Sequence, residues 1–332
     1  MRAWILQSWH TKNALFYLVL VPLSWSFGAI SALRRLCYEY GVLRSYTLPV
    51  PVIVVGNITM GGNGKTPVVM WLVERLKASG YTPGVISRGY GANVIVPTPV
   101  GVQSQPSEVG DEPILIHQRC DCPVYVSPNR VAAGEALLKT HPECDVMVSD
   151  DGLQHYRMKR NVEIAVVNDD ALEGSWLLPA GPMRESVKRL ETVDAIVCNG
   201  NKTIDSAYEM QLEGEQFYNL QNPRVTATAK DFAGKNIKVI AGIGKPVRFF
   251  AHLRYLGLAF AGTGFDDHHA YTAQDFAKLD CDVLLMTEKD AVKCHGFAQP
   301  HYWVLPVAAK IDEGLLQLVL GKIARKSLRK QG

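Results

Sequence analysis

Residues 52–67 read VIVVGNITMGGNGKTP, and no other stretch limits the fold as sharply. The β-branched run Val52–Val55 has the composition of a buried strand. Gly61, Gly62 and Gly64 allow positive φ and close approach of backbone to a ligand. Pro67 stands where a first-turn proline is tolerated, and the stretch from Val68 to Lys77 has the composition of an amphipathic helix stopped at Ser79-Gly80. Strand, glycine-rich turn and helix start form an anion site, because free helical N–H groups converge on one point. The strict phosphate-loop pattern G-x-x-x-x-G-K-[ST] is met at Gly64, Lys65 and Thr66 but has Thr59 where glycine is usual. In this reading Lys65 reaches the β- and γ-phosphates of a nucleotide and Thr66 ligates magnesium.

Strand and helix signals alternate over the rest of the chain. Gly84–Ser87, Val124–Val126, Val146–Val148, Glu163–Val167 and Ala195–Val197 read as strands, with helices over Glu112–Arg119 and Arg130–Thr140. The stretch 94–106, rich in Val, Pro and Gly, reads as a hairpin or an irregular excursion. This alternation predicts an α/β fold with a mainly parallel, P-loop NTPase-like sheet. A polar stretch over 203–216 interrupts the pattern. Alternation then resumes at Lys238–Ala241, Phe249–Leu256, Leu258–Phe260, Phe276–Leu279, Val283–Met286 and Trp303–Leu305. These segments predict a second, smaller α/β domain over 231–332, after a core domain over 37–230 and an anchor over 1–36.

The anchor is read from Ala14–Leu33, which holds 20 residues without a charge. As a helix it is about 30 Å long, the thickness of a bilayer core. Arg34 and Arg35 follow, Arg2 and Lys12 precede, and Trp4, Trp9 and Tyr17 cluster near one end. Three readings fit: a cleaved signal peptide, a buried core helix, and a membrane helix that spans or lies in the interface. A signal peptide would export a nucleotide loop to a compartment without ATP, and the length favours the membrane helix, with the catalytic part facing the cytoplasm. The basic tail 322–330 reads as a solvated helix end that could touch anionic lipid. A net charge of +3 gives no sign of a nucleic-acid partner, and the seven scattered cysteines suit reduced thiols.

Acidic residues gather where strands end. Asp150-Asp151-Gly152-Leu153-Gln154-His155 follows an apolar strand, where nucleotide-binding sheets carry their ligand and where a carboxylate holds magnesium. Asp111-Glu112 is a second acidic pair, which a helix cap explains equally well. Asp266-Asp267-His268-His269 could be a metal site, a solvated loop, or a base in which one carboxylate orients one imidazole for a hydroxyl nucleophile. Ser87–Gly91 and Gly181–Glu185 carry arginines able to clamp phosphates.

Taken in order, these segments resemble the tetraacyldisaccharide 4'-kinase family of Gram-negative bacteria. The resemblance rests on GNITMGGNGKTP at 56–67, SRGYG at 87–91, GDEP at 110–113, NR at 129–130, DDGLQH at 150–155, GPMRE at 181–185, AGIGKP at 241–246, FDDHH at 265–269 and TEKD at 287–290. That family also carries a residue other than glycine at the position of Thr59. The resemblance implies ATP- and Mg2+-dependent phosphorylation of the 4'-hydroxyl of a lipid A disaccharide precursor, on the cytoplasmic face of the bacterial inner membrane. It implies that Thr59, Gly61, Gly62, Asn63, Gly64, Lys65, Thr66 and Pro67 hold the nucleotide. Thr66, Glu112 and Asp151 then face the metal, and Asp111 and His268 form the paired base beside Lys65. Arg88, Tyr90, Arg130, Gln154 and His155 contact the lipid headgroup. A switch-type NTPase and a soluble small-molecule kinase are the rival readings of the loop alone.

Overall fold

The computed structural model describes residues 9, 14–168, 176–200, 204–277 and 279–328. Arg2, Trp4, Lys12 and the far end of the basic tail, 329–330, lie outside the described residues. In chain order the elements are α1 (Ala14–Glu39), β1 (Val52–Gly56), α2 (Lys65–Ala78), β2 (Pro83–Ser87), β3 (Thr98–Pro99), α3 (Asp111–Cys120), β4 (Val124–Val126), α4 (Arg130–Thr140), β5 (Val146–Asp150), β6 (Val162–Asn168), β7 (Ala195–Asn199) and β8 (Tyr208–Glu213). There follow β9 (Gln216–Asn219), β10 (Thr226–Thr228), β11 (Ile237–Ala241), α5 (Pro246–Tyr255), β12 (Ala261–Gly264), β13 (Val283–Thr287), α6 (Glu288–Cys294), β14 (Tyr302–Leu305), β15 (Ala308–Ile311) and α7 (Gly314–Leu328).

Two sheets form. The first runs β15-β8-β7-β6-β1-β5-β2-β4-β3, parallel except for its two outer strands. The second runs β10-β9-β14-β13-β11-β12, with β14, β13, β11 and β12 parallel. β1 is buried on both sides, as parallel strands are. Ile53 and Val55 pack with α2, α3 and α7 on one face, while Val52 and Val54 pack with α4 on the other. The second sheet is likewise covered twice, by Phe249 and Leu253 of α5 and by Ala291 and Cys294 of α6.

The structure departs from the sequence reading in several places. The polar stretch 203–216 contains β8, whose outward side is polar while Met210 points into the core. The strand expected at Leu258–Phe260 lies at Ala261–Gly264, an exposed edge strand with almost no apolar signal. Sheet membership changes between Glu213 and Gln216, earlier than residue 231. It changes back after Leu305, because β15 pairs antiparallel with β8 and Leu315, Leu316 and Val319 of α7 join the first core. The second sheet is thus an excursion between two strands of the first.

α1 is a continuous helix with Pro22 inside it. Leu18, Leu23, Trp25, Ile30 and Leu33 are each more than half exposed, so it is no core helix. One side rests on the loop after β6, where Ser24 Oγ donates to the Leu177 carbonyl at 2.8 Å. Its 23-residue apolar stretch Tyr17–Glu39 is long enough to cross a membrane, with 11% of its most apolar window buried.

Candidate functional site

The loop after β1 owes its shape to polar contacts as much as to glycine. Gly61 and Gly64 take φ of 107° and 88°, and Gly64 caps α2. Thr59 is not in the left-handed region, so nothing there demands glycine. Its buried hydroxyl accepts from Asn63 Nδ2 at 2.6 Å, which ties the two ends of the loop together. Asn168 Nδ2 at the end of β6 donates to Asn63 Oδ1 at 2.8 Å, and Asn199 Nδ2 at the end of β7 donates to the Asn63 carbonyl at 3.2 Å. The unusual threonine is therefore a structural member of the loop.

Parallel register brings the acids to it. β1 pairs with β5 so that Val55 lies beside Asp150, at the carboxyl ends of both strands. Asp150 is fully buried; Ser87 Oγ donates to its Oδ2 at 3.2 Å, and its Oδ1 has no hydrogen-bond partner. Burial and the neighbouring Glu112 and Asp151 charges push its carboxyl up to about 7, against the pull of Lys65 and Arg130. Asp151 takes a left-handed turn at φ 46°. Its carboxylate pairs with Lys65 Nζ at 3.5 Å and with Arg184 Nη1 at 3.0 and 3.1 Å. Burial raises the Asp151 carboxyl, and the two cations outweigh it, leaving it below the usual range.

The second sheet presents the carboxyl ends of its parallel strands to the same place. The turn after β11 puts Gly244 against Gly62; a methyl added at Gly244 would lie 2.5 Å from the Gly62 nitrogen. The turn after β12 carries His268, at φ 62°. Its Nδ1 lies 3.0 and 3.1 Å from the two oxygens of Asp111, the first residue of α3. Burial raises the Asp111 carboxyl, but the His268 hydrogen bond and the Lys289, His268 and Lys293 charges bring it below its ordinary value. After β13, Lys289 donates to Glu112 Oε1 and Asp267 Oδ1, both at 3.0 Å. The Tyr90 ring lies against His268 with centroids 4.9 Å apart.

All these groups surround one cavity of about 680 Å³, a volume suited to a small-molecule ligand. Gly61–Pro67, Arg88, Tyr90, Glu112, Asp151 and His268 line it, together with Asp150, Arg184 and Asp267, which the sequence offered only as members of acidic or arginine-bearing turns, and Lys289, for which it suggested no role. Thr59 lies behind the loop. Asp111 is buried behind His268. Arg130 is buried as well, its Nη1 donating to the Ser127 carbonyl at 2.8 Å. Gln154 Nε2 donates to the Asn57 carbonyl at 2.9 Å, and Arg34 of α1 donates to the Gln154 carbonyl at 3.4 Å. Burial and the surrounding Arg130, Arg160, Arg34 and Arg157 push the His155 imidazole down to about 4. Gln154, His155 and Arg130 thus stand away from the cavity lining, and Gln154 meets α1. Arg184, offered by the sequence as a phosphate clamp, instead holds Asp151, and the asparagines behind Asn63 stand at strand ends; these pairings have no fixed spacing in sequence.

A parallel sheet, a phosphate-type loop opening a helix, strand-end carboxylates and a carboxylate–imidazole couple on one cavity define a P-loop phosphotransferase. Comparison with known proteins narrows the class. The model of the family tetraacyldisaccharide-1-P 4'-kinase matches residues 16–324. A tetraacyldisaccharide 4'-kinase of Methylobacillus flagellatus is 45% identical over 323 residues, covering 97% of this chain and 96% of the relative. One from a Janthinobacterium species is 46% identical over 336 residues, with 97% and 96% covered. The crystal structure of the "apo" form of LpxK from Aquifex aeolicus in complex with ATP superposes with a TM-score of 0.76 at 26% identity, over 91% of this chain and 98% of that one. The chain belongs to the tetraacyldisaccharide-1-P 4'-kinase family, and is thereby a kinase of lipid A biosynthesis.

Proposed function

We propose that this chain moves the γ-phosphoryl group of ATP onto the 4'-hydroxyl of a tetraacyldisaccharide 1-phosphate, at the cytoplasmic face of the bacterial inner membrane. The observation that carries the reading is the meeting of Lys65 and His268 on one cavity. The loop amides of Gly61–Thr66 and the Lys65 ammonium bind the phosphate tail. The acceptor oxygen attacks the γ-phosphorus, the bond from that phosphorus to the β–γ bridging oxygen breaks, and ADP leaves. The hydroxyl proton passes to His268 Nε2, whose ring is held by Asp111 through Nδ1. Lys65 stabilises charge on the equatorial oxygens. Arg88 and Tyr90 meet the headgroup, while Arg130, Gln154 and His155 act on it through the turn they support.

Magnesium fits the donors present. Among the described residues no three His, Cys, Asp or Glu side chains are gathered into a cage. Magnesium asks for less, since it takes one or two carboxylates and completes its shell with phosphates and water. The unpartnered Asp150 Oδ1, in a cluster of like charges, is the best available oxygen. Thr66, Glu112 and Asp150 would hold the ion, which supplies neutralising charge to the phosphates. Asp151, engaged by Lys65 and Arg184, orients that lysine and reaches the metal only by releasing it.

Transfer of label from γ-labelled ATP to a lipid A disaccharide precursor in mixed micelles tests the reading. Lys65→Met is expected to cut the rate by about 10² to 10³. Nucleotide turnover with no label on the lipid would sink the proposal.

A further inference from the structure

The segment Thr287-Glu288-Lys289-Asp290 has no part in the transfer as described, yet each of its residues ties down a different element. Thr287 Oγ1 accepts from the Asp290 amide at 3.2 Å and so caps α6. Glu288 Oε1 accepts from Arg119 Nη1 of α3 at 2.5 Å, and its Oε2 accepts from the Val307 amide, in the crossover back to the first sheet, at 3.2 Å. Asp290 Oδ1 accepts from the Gly242 amide and the Tyr271 hydroxyl, each at 3.1 Å. Lys289 therefore starts from a fixed point of the backbone.

Its ammonium has three protons and finds three acceptors. Glu112 Oε1 and Asp267 Oδ1 lie at 3.0 Å, and His268 Nε2 at 3.4 Å. The side chain is 15% exposed. An ammonium can only donate. A ring nitrogen facing it must be the bare one, which leaves the His268 proton on Nδ1, directed at Asp111. Lys289 thus selects, from outside the couple, the tautomer able to take a proton. Its bond to Glu112 also fixes the imidazole, which belongs to the second sheet, against α3 of the first.

We propose that Lys289 is the positioning residue of the phosphoryl-acceptor site, holding His268 with Nε2 unprotonated and aimed into the cavity. The inference rests on the kinase reading above. The incoming sugar hydroxyl takes over the arm that Lys289 lends to Nε2, while the arms to Glu112 and Asp267 remain. Other charged groups facing His268 are Asp111 from α3, itself 3.9 Å from Lys293 Nζ of α6, and Asp267 from its own turn, whose Oδ2 lies 3.7 Å from Nε2.

The test is a double-mutant cycle on the full chain in mixed micelles, with Lys289→Met, His268→Ala and the pair. Lys289→Met alone is expected to lower kcat roughly 10- to 100-fold, less than the whole worth of a general base, with KM for ATP within about two-fold of wild type. In the His268→Ala background the same change should cost less than about three-fold. Equal losses in both backgrounds, or a risen KM at unchanged kcat, overturn the proposal. Lys289→Arg guards against misfolding: it keeps the charge and the carboxylate bonds, but its planar fork cannot bring one nitrogen to three acceptors. It should lose kcat at an unchanged melting temperature, and wild-type kcat in it also overturns the proposal. A wild-type chain that labels no lipid refutes the kinase reading instead.

Discussion

His268 Nδ1 rests 3.0 and 3.1 Å from the two carboxylate oxygens of Asp111, across 157 positions of sequence and from one sheet to the other. The couple exists only while the two sheets keep their present relation. Replacing Asp111 by Asn preserves shape but turns the partner of Nδ1 into an amide that no longer fixes the tautomer. We expect Asp111→Asn and His268→Ala each to lower kcat by about 10² to 10⁴ with little change in KM for ATP. Steady-state transfer to the lipid acceptor measures it; a loss that appears only in KM contradicts the assignment.

Gly244 has no room for a side chain, because its missing methyl would meet the Gly62 amide at 2.5 Å. Gly244→Ala must push the phosphate loop or its own turn away. The expected effect is a rise of KM for ATP by roughly 10-fold, in line with the cost of misplacing positioning groups. Thermal melting should change little, since both turns are at the cavity. Calorimetric titration with ATP reads the affinity directly, and wild-type affinity would show that the contact yields without consequence.

His155 lends the fold a dependence on pH whose sign is determined by its surroundings. Burial and four arginines hold its imidazole near 4, well below the ordinary histidine value of about 6.5. The unfolded chain therefore binds a proton over this window that the folded chain refuses. Its stability contribution is fully present above about 6.5 and is lost as the pH falls towards 4. Asp150, raised to about 7, works in the opposite sense: its burial favours the folded chain more as the pH falls from about 7 towards 4. The comparison of wild type with His155→Asn separates the two. Melting temperatures between pH 7 and 5 should drop less steeply in the variant, and parallel curves would mean that the imidazole charges freely in the folded protein.

The outward residues of α1 should decide where the protein resides. Leu18, Leu23 and Leu33 are 74%, 51% and 63% exposed, on a helix whose other side grips the loop at Leu177. Charges there cost about 2.5 to 3.5 kcal/mol each at the centre of a spanning helix and leave the loop contact alone. Leu18→Glu with Leu33→Glu is expected to move the protein from vesicle-bound to free in a flotation assay, with transfer to a short-chain, micelle-free acceptor retained. Unaltered flotation would mean that this face does not meet lipid.

The parts of the site that could be read from the sequence are those written locally. The glycine loop, the strand-end pair Asp150-Asp151 and the cap-like Asp111-Glu112 each have a composition that announces a strand, a turn or a helix start. The ordered motifs added the link between Asp111 and His268. Partnerships across sheets were not legible. Lys289 on Glu112, Arg184 on Asp151 and Asn168 on Asn63 follow from the register of β1, β5, β6 and β7 and from the approach of the second sheet, which no spacing encodes. The edge strands failed for another reason. In β8 the inward residues Tyr208, Met210 and Leu212 alternate with Glu209, Gln211 and Glu213, and in so polar a setting the period of two was easily passed over. β12, Ala-Gly-Thr-Gly, buries too little to mark itself.

The return of β15 and α7 to the first sheet has a consequence for how the molecule comes into being. The strand beside Met210 and the helix over Val162 and Val197 are the final described segments to be synthesised, whereas β1 is among the earliest. The nucleotide-facing layer cannot complete its packing until β15 and α7 have been synthesised, because domains fold as their last contributing segment becomes available. A chain cut just after Val307 would keep every residue that lines the cavity and still leave that layer uncovered along one flank.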